Sequence, residues 1–153
     1  MNLLRTASVA LSLVGIGCRS VSPTSTTGTI ADIGRNIERL VRSTDSHAFL
    51  VIELDGTPHF LQFTAGPKAI EMDFPQVTDA QRRRAGAFRA LCASAGLPLR
   101  ESDGSDGSRF LDCDLPRDAA RASAVVERAL IELFDASSTT PLRFSGDRLP
   151  DAT

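Results

Sequence analysis

Three kinds of residue in this chain could do chemistry: its 3 cysteines, its 2 histidines and carboxylates that alternate along extended segments. Cys18 stands directly after Gly15-Ile16-Gly17, small residues at the end of an apolar stretch (Thr6–Gly17) that follows Arg5. Cys92 and Cys113 fall on the inward faces of a predicted helix and a predicted strand. A disulfide between them would close a loop of about 20 residues and stabilise the fold by roughly 3 kcal/mol through the unfolded chain. The alternative is two buried free thiols that pack as small hydrophobes. Neither cysteine has a histidine placed beside it, so no nucleophile and no catalytic residue is expected. His47 and His59 flank a hairpin. A metal there would need further donors, and Asp45 and Asp55 are the only ones near in sequence, so strand-end histidines and no metal are expected. Asp103-Gly104-Ser105-Asp106-Gly107 lacks the ligand spacing and closing Glu of a calcium loop and predicts a turn.

The acidic residues leave a choice open. Asp112 and Asp114 alternate with Phe110 on one strand face, and Glu71 and Asp73 alternate on another. Paired carboxylates can transfer protons, but the default for such a pattern is a solvated sheet face, with an acidic recognition patch for a basic partner as the alternative. Arg82-Arg83-Arg84 point in three directions from a helix and predict a solvated face; contact with acidic lipid headgroups is the lesser reading. No phosphate-binding glycine loop, G-x-S-x-G elbow or H-E-x-x-H pair occurs in the chain. The expectation is a protein that is not an enzyme and takes no cofactor.

Composition narrows the field further. Lys+Arg 17 against Asp+Glu 19 gives a formal charge of -2, which exerts no long-range pull on nucleic acid. With no Trp and no Tyr, base stacking would fall to Phe alone. At 153 residues, 42% hydrophobic and 24% charged, the chain suits one globular domain.

The elements that must position these residues follow from periodicity. Ile30, Ile33, Ile37, Leu40 and Val41 recur at helical spacing, predicting a first helix that ends before Ser43. His47–Leu54, His59–Thr64 and Lys68–Phe74 read as three strands, separated by Asp55-Gly56-Thr57-Pro58 and Ala65-Gly66-Pro67, hence an antiparallel meander. Thr78 with Gln81 forms a capping box for a helix over 79–95, which puts Ala85, Phe88, Leu91, Cys92 and Ala95 on one stripe before Gly96 stops it. Leu97–Glu101 predicts a short edge strand behind Pro98, and Arg109–Leu115 another strand with Leu111, Cys113 and Leu115 inward. Pro116 sits where a last helix can begin, and Ala122, Val125, Val126, Ala129, Leu130, Leu133 and Phe134 form the clearest helical stripe in the chain. Pro141–Phe144 could add a tail strand. The order α-βββ-α-ββ-α, with a mostly antiparallel sheet, predicts an α+β two-layer sandwich.

The ends read differently. Residues 1–17 predict a signal peptide, since the apolar stretch is too short to span a membrane. With Cys18 they resemble the lipobox of bacterial lipoproteins, although Gly15 stands where that pattern favours Leu. The resemblance implies lipidation at Cys18 and a membrane-anchored location in the bacterial cell envelope; other export signals, or none, are the alternatives. Residues 18–29, rich in Ser and Thr, predict a flexible linker, 30–144 the domain, and 145–153 a flexible tail.

The strand Phe60-Leu61-Gln62-Phe63, the acidic-apolar strand Ile70-Glu71-Met72-Asp73-Phe74 and the helix exit Ala95-Gly96-Leu97-Pro98, in this element order, resemble the type III secretion chaperone-like fold, in particular its YbjN and TY-Chap groups. The resemblance implies a domain that binds another protein through apolar surface on its sheet or helices, as a homodimer in many members. Such chaperones work in the cytosol, and an export signal departs from that. The expected function is therefore an exported, lipid-anchored protein-binding module without catalysis. The alternatives are a cytosolic chaperone-like domain with an uncleaved N-terminus, or a carrier that holds a small apolar ligand between sheet and helices.

Overall fold

The computed structural model describes residues 24–151. The predicted signal peptide and Cys18 lie outside the described residues. The elements are β1 (Thr24–Gly28), a 3-10 turn (Ile30–Asp32), α1 (Ile33–Arg42), β2 (Phe49–Leu54), β3 (Phe60–Ala65), β4 (Ala69–Pro75), α2 (Asp79–Ser94), β5 (Leu99–Asp103), β6 (Arg109–Pro116), α3 (Ala119–Phe134) and β7 (Leu142–Asp147). The strands form one 7-stranded sheet in the order β1-β7-β2-β3-β4-β6-β5, and every neighbouring pair is antiparallel. The predicted α-βββ-α-ββ-α order is present inside this list, and the fold is an α+β two-layer sandwich.

Both ends of the domain depart from expectation. Thr24–Gly28, expected as linker, pair with β7 as an edge strand from Thr24 opposite Gly146 to Gly28 opposite Leu142. Ser145–Asp147, expected as tail, continue β7, which lies between β1 and β2. Arg39 Nε donates to the Pro150 carbonyl at 2.8 Å, and an Arg42 guanidinium N–H donates to the Asp151 carbonyl at 2.7 Å, fastening the residues after β7 to α1. The Ser/Thr composition of β1 suits an edge strand whose burial is slight: four of its five residues are exposed.

The helices form where their caps and stripes put them. Gln81 is buried at the start of α2 and does three jobs. Its backbone N–H donates to Thr78 Oγ1 at 3.2 Å, its Oε1 accepts from Thr78 N–H at 2.9 Å, and its Nε2 donates to the Pro58 carbonyl at 3.2 Å. The predicted capping box thus also ties α2 to the β2–β3 hairpin. At the other end Leu97 N–H bonds to Cys92 O at 2.9 Å and Gly96, at φ +67°, N–H bonds to Ala93 O at 3.1 Å. This closing pair of bonds needs the left-handed backbone that glycine supplies. Pro116 does not open α3; it ends β6. Asp118 caps α3 instead, accepting from Arg121 N–H at 2.8 Å. Proline fits the strand end because β6 pairs there with Ala69 alone.

The core lies between the sheet and the helices. Ile33, Ile37 and Leu40 of α1, Phe88 and Leu91 of α2, and Val126, Leu130 and Leu133 of α3 are buried against Leu50, Ile52, Leu61, Phe63, Ile70, Met72, Phe74, Leu111 and Leu115 of the sheet. Phe74 stacks on Phe88 and on Phe134, with ring centroids 5.0 and 6.2 Å apart. Arg117, between β6 and α3, closes one end of this layer. Its guanidinium donates to the carbonyls of Gly66 and Val41, and to that of Ser43 at 2.7 Å. Two of those acceptors belong to the C-terminal end of α1, where a cation complements the helix dipole. No helix among the described residues is long and apolar enough to cross a membrane.

Candidate functional site

Alternation decides which sheet residues meet the helices. Along β2 and β3 every second side chain is buried beneath the helices: Leu50, Ile52, Leu54, then Leu61, Phe63, Ala65. The residues between them point the other way, where no described element covers them. Directly opposed residues of an antiparallel pair share a face, so the register assembles this second face row by row. The central row runs Ser145, Val51, Gln62, Asp73, Asp112, Arg100 across six strands. On one side of it lie Phe49, Thr64, Glu71 and Asp114; on the other lie Arg143, Glu53 and Phe60, then Pro75, Phe110 and Ser102. Phe49, Val51, Phe60 and Phe110 are half-buried there, an aromatic and aliphatic complement on the side away from the core.

At the centre of that face are two aspartates that the sequence places outward but not together. Asp73 and Asp112 are directly opposed on β4 and β6, with only 9% and 6% of their surface exposed. Ser102 Oγ donates to Asp112 Oδ2 at 2.5 Å. Oδ1 of each aspartate is buried without a hydrogen-bond partner. Two like charges so close and so dry cannot both persist. Burial pushes the Asp73 carboxyl up to about 8; Glu71 and Asp112 reinforce the shift, and Arg100 opposes it only in part. At neutral pH Asp73 therefore keeps its proton.

Arg100 organises the acidic residues beside this pair. It grips Asp114 through both terminal nitrogens, each at 2.9 Å, and reaches Glu71 Oε2 at 2.7 Å. Its guanidinium is held still more firmly protonated by the Asp114 hydrogen bond, with Glu71 adding to the effect. Asp112 and Asp114, alternate residues on one strand, thus play different parts: one is buried opposite Asp73, the other holds a half-exposed ion pair. Arg143 pairs with Asp55 at 2.6 Å, and no ion pair within 4.0 Å engages Glu53 among the described residues.

The remaining candidates separate. His47 is exposed before β2, whereas His59 lies beside the far end of that strand, where Leu54 N–H bonds to its carbonyl at 3.0 Å. The β2–β3 register keeps the two histidines at opposite ends of the hairpin. His59 stacks on Phe134 with centroids 4.8 Å apart, and burial, helped by Arg84, lowers its proton affinity. Among the described residues no three His, Cys, Asp or Glu side chains gather into a group able to hold a metal. The 103–108 segment is a turn: Gly104 N–H bonds to Ser108 O at 2.7 Å, Asp106 Oδ1 accepts from Ser108 N–H at 3.0 Å, and Gly107 sits at φ +80°. Arg82 pairs with Asp79 at 2.6 Å and Arg84 with Asp135 at 3.2 Å, both exposed. Cys92 and Cys113 are both fully buried free thiols, on the packed elements α2 and β6. Two surface grooves of about 390 and 420 Å³ lie elsewhere, one between α1 and α3 beside Gly34 and Ser123, the other around Ser43 and Leu149.

Sequence reasoning missed the pairing of Asp73 with Asp112 and the reach of Arg100. Alternation alone put the four acids Glu71, Asp73, Asp112 and Asp114 on the outward sides of β4 and β6. What it lacked was the β4–β6 adjacency, which the intervening α2 hides. Comparison with protein families, with characterised proteins and with solved structures finds no match to this chain.

Proposed function

We propose that this chain is an exported, lipid-anchored protein-binding module of secretion-chaperone-like fold, without catalysis, that binds its partner on the sheet face opposite the helices. The observation that carries the reading is this face itself. Phe49, Val51, Phe60 and Phe110 are exposed in part on a side where stability would be served by polar residues, and carboxylates surround them. Half-buried aromatics flanked by charge are the composition of an interface core with a polar rim. Glu53, Glu71, Asp114 and the Asp73–Asp112 pair outnumber Arg100 and Arg143, so the partner that fits is a protein segment bearing apolar side chains and Lys or Arg. Cys18 supplies the anchor, and the residues between it and β1 supply reach.

The test has two arms. Mass spectrometry of the protein from a membrane fraction should find an acylated Cys18 at the mature N-terminus; an intact Met1 with a free Cys18 contradicts the address. For binding, chemical crosslinking in intact cells should yield a discrete heteromeric product that disappears in Glu71→Lys/Asp114→Lys and persists in Glu38→Lys/Glu127→Lys on the helix side. Equal loss from both pairs contradicts the assignment, and a product of twice the chain's own mass gives the face to a second copy instead.

A further inference from the structure

Cys92 sits in the last turn of α2 and Cys113 in the middle of β6, and both are fully buried in the same apolar cluster. They are the only cysteines among the described residues. The helix stripe that carries Phe88 and Leu91 inward carries Cys92 with them, while the β6 alternation sends Cys113 inward between Leu111 and Leu115. α2 packs on β6, so both side chains enter the same buried cluster from facing elements, and each thiol is the largest influence on the other's proton. Between them in sequence lies the β5 strand and the 103–108 turn, and β5 is the sheet's edge strand, paired with β6 alone.

We propose that Cys92 and Cys113 form a redox couple, closing to an intramolecular disulfide that fastens α2 to β6 and locks the β5 edge between them. The oxidant is a small-molecule disulfide. The Cys92 thiolate attacks one sulfur of the oxidant; the oxidant's S–S bond breaks, a mixed disulfide forms, and the first small thiol departs, taking up the proton that Cys92 gave up. Cys113, losing its own proton, then attacks the Cys92 sulfur, and the second small thiol leaves protonated. The protein loses two electrons and the oxidant gains two. Cys92 is the attacking thiol: the neighbouring Cys113 lowers it below its ordinary value, whereas Cys92, with burial, raises Cys113. Since neither sulfur is exposed, reaction waits on opening of the α2–β5 edge. The inference does not rest on the proposed binding function.

The experiment uses the full chain, equilibrated in glutathione buffers from fully reduced to fully oxidised, quenched by alkylation and mapped by peptide mass. The expected result is a Cys92–Cys113 cross-linked peptide that grows with the oxidised fraction and a melting temperature higher by about 10 °C in the oxidised form. In Cys113→Ser the expected product is a glutathione adduct on Cys92. Two alkylated thiols at every buffer ratio, a cross-link from either cysteine to Cys18 alone, or a lower melting temperature on oxidation would each overturn the proposal. Should Cys113→Ser fail to fold, the wild-type map and melting curves decide alone.

Discussion

The two faces of one sheet are built from the same strands, residue by alternate residue, yet they obey different rules. The helix side takes Leu50, Ile52, Leu61, Phe63, Ile70, Met72 and Phe74, all essentially without exposure. The other side takes Phe49, Val51, Gln62, Phe60, Glu71, Asp73, Asp112 and Phe110. It contains a carboxyl pair with two orphan oxygens, an arginine shared by two acids, and half-buried aromatics. A sheet needs one apolar face to fold. Burying ionisable groups on the second face adds nothing to folding and works against it. The contrast separates residues kept for stability from residues whose retention needs another explanation.

The comparison can be broken from either side, and the largest effect belongs to the core. Leu133→Ala should destabilise the fold by about 2–5 kcal/mol, whereas Val51→Ala on the opposite face should cost below about 1 kcal/mol, both read by chemical denaturation. Similar losses at the two positions would mean that the second face is also a packed core. Arg117→Met should follow at about 2–3 kcal/mol, because it leaves the Gly66, Val41 and Ser43 carbonyls without their donor.

The carboxyl pair sharpens the comparison because its sign is opposite. Asp73 holds its proton up to about 8 when folded and gives it up near the ordinary 3.8 when unfolded. The folded state therefore binds the extra proton across that window, and stability falls as pH rises from about 4 to about 8, then levels. Asp73→Asn should remove this decline and stabilise the protein at pH 8 by on the order of 2 kcal/mol. The low-pH limb is separate: Asp79, Asp106 and Glu132 are held below their ordinary values by hydrogen bonds from Arg82, Ser108 and Arg128, and lose that support only as pH falls below about 4. A denaturation series from pH 4 to 9 on both proteins checks it; a parallel pair of curves would refute the raised Asp73 carboxyl. The smallest effect is Arg100→Ala, at about 1 kcal/mol or less in stability, since its pairs are about half exposed.

Much of this was legible in the sequence because the signals were local. The α3 stripe, the Thr78–Gln81 box, the Asp55-Gly56 turn and the inward set of β6 each depend on residues close together in the chain. The errors came where a distant segment decides. Thr24–Gly28 has no apolar alternation to announce a strand; it is extended because β7 offers unpaired backbone groups. Ser145–Asp147 look like a tail until β2 is seen on the other side of them. The candidate face was half legible: alternation turned Glu71, Asp73, Asp112 and Asp114 outward, but only the β4–β6 register brings Asp73 against Asp112. Arg117 gave no signal, since its acceptors are backbone carbonyls.

The claim on which the rest depends is that the uncovered sheet face is a binding surface. A photo-crosslinking amino acid placed at Gln62, in the centre of that face, and at Ala124, exposed on α3, tests it in the living cell. The account predicts a single discrete adduct with another protein from Gln62 and none from Ala124. An adduct from Ala124 alone, or no adduct from either position in cells where the protein is folded and membrane-associated, would contradict it.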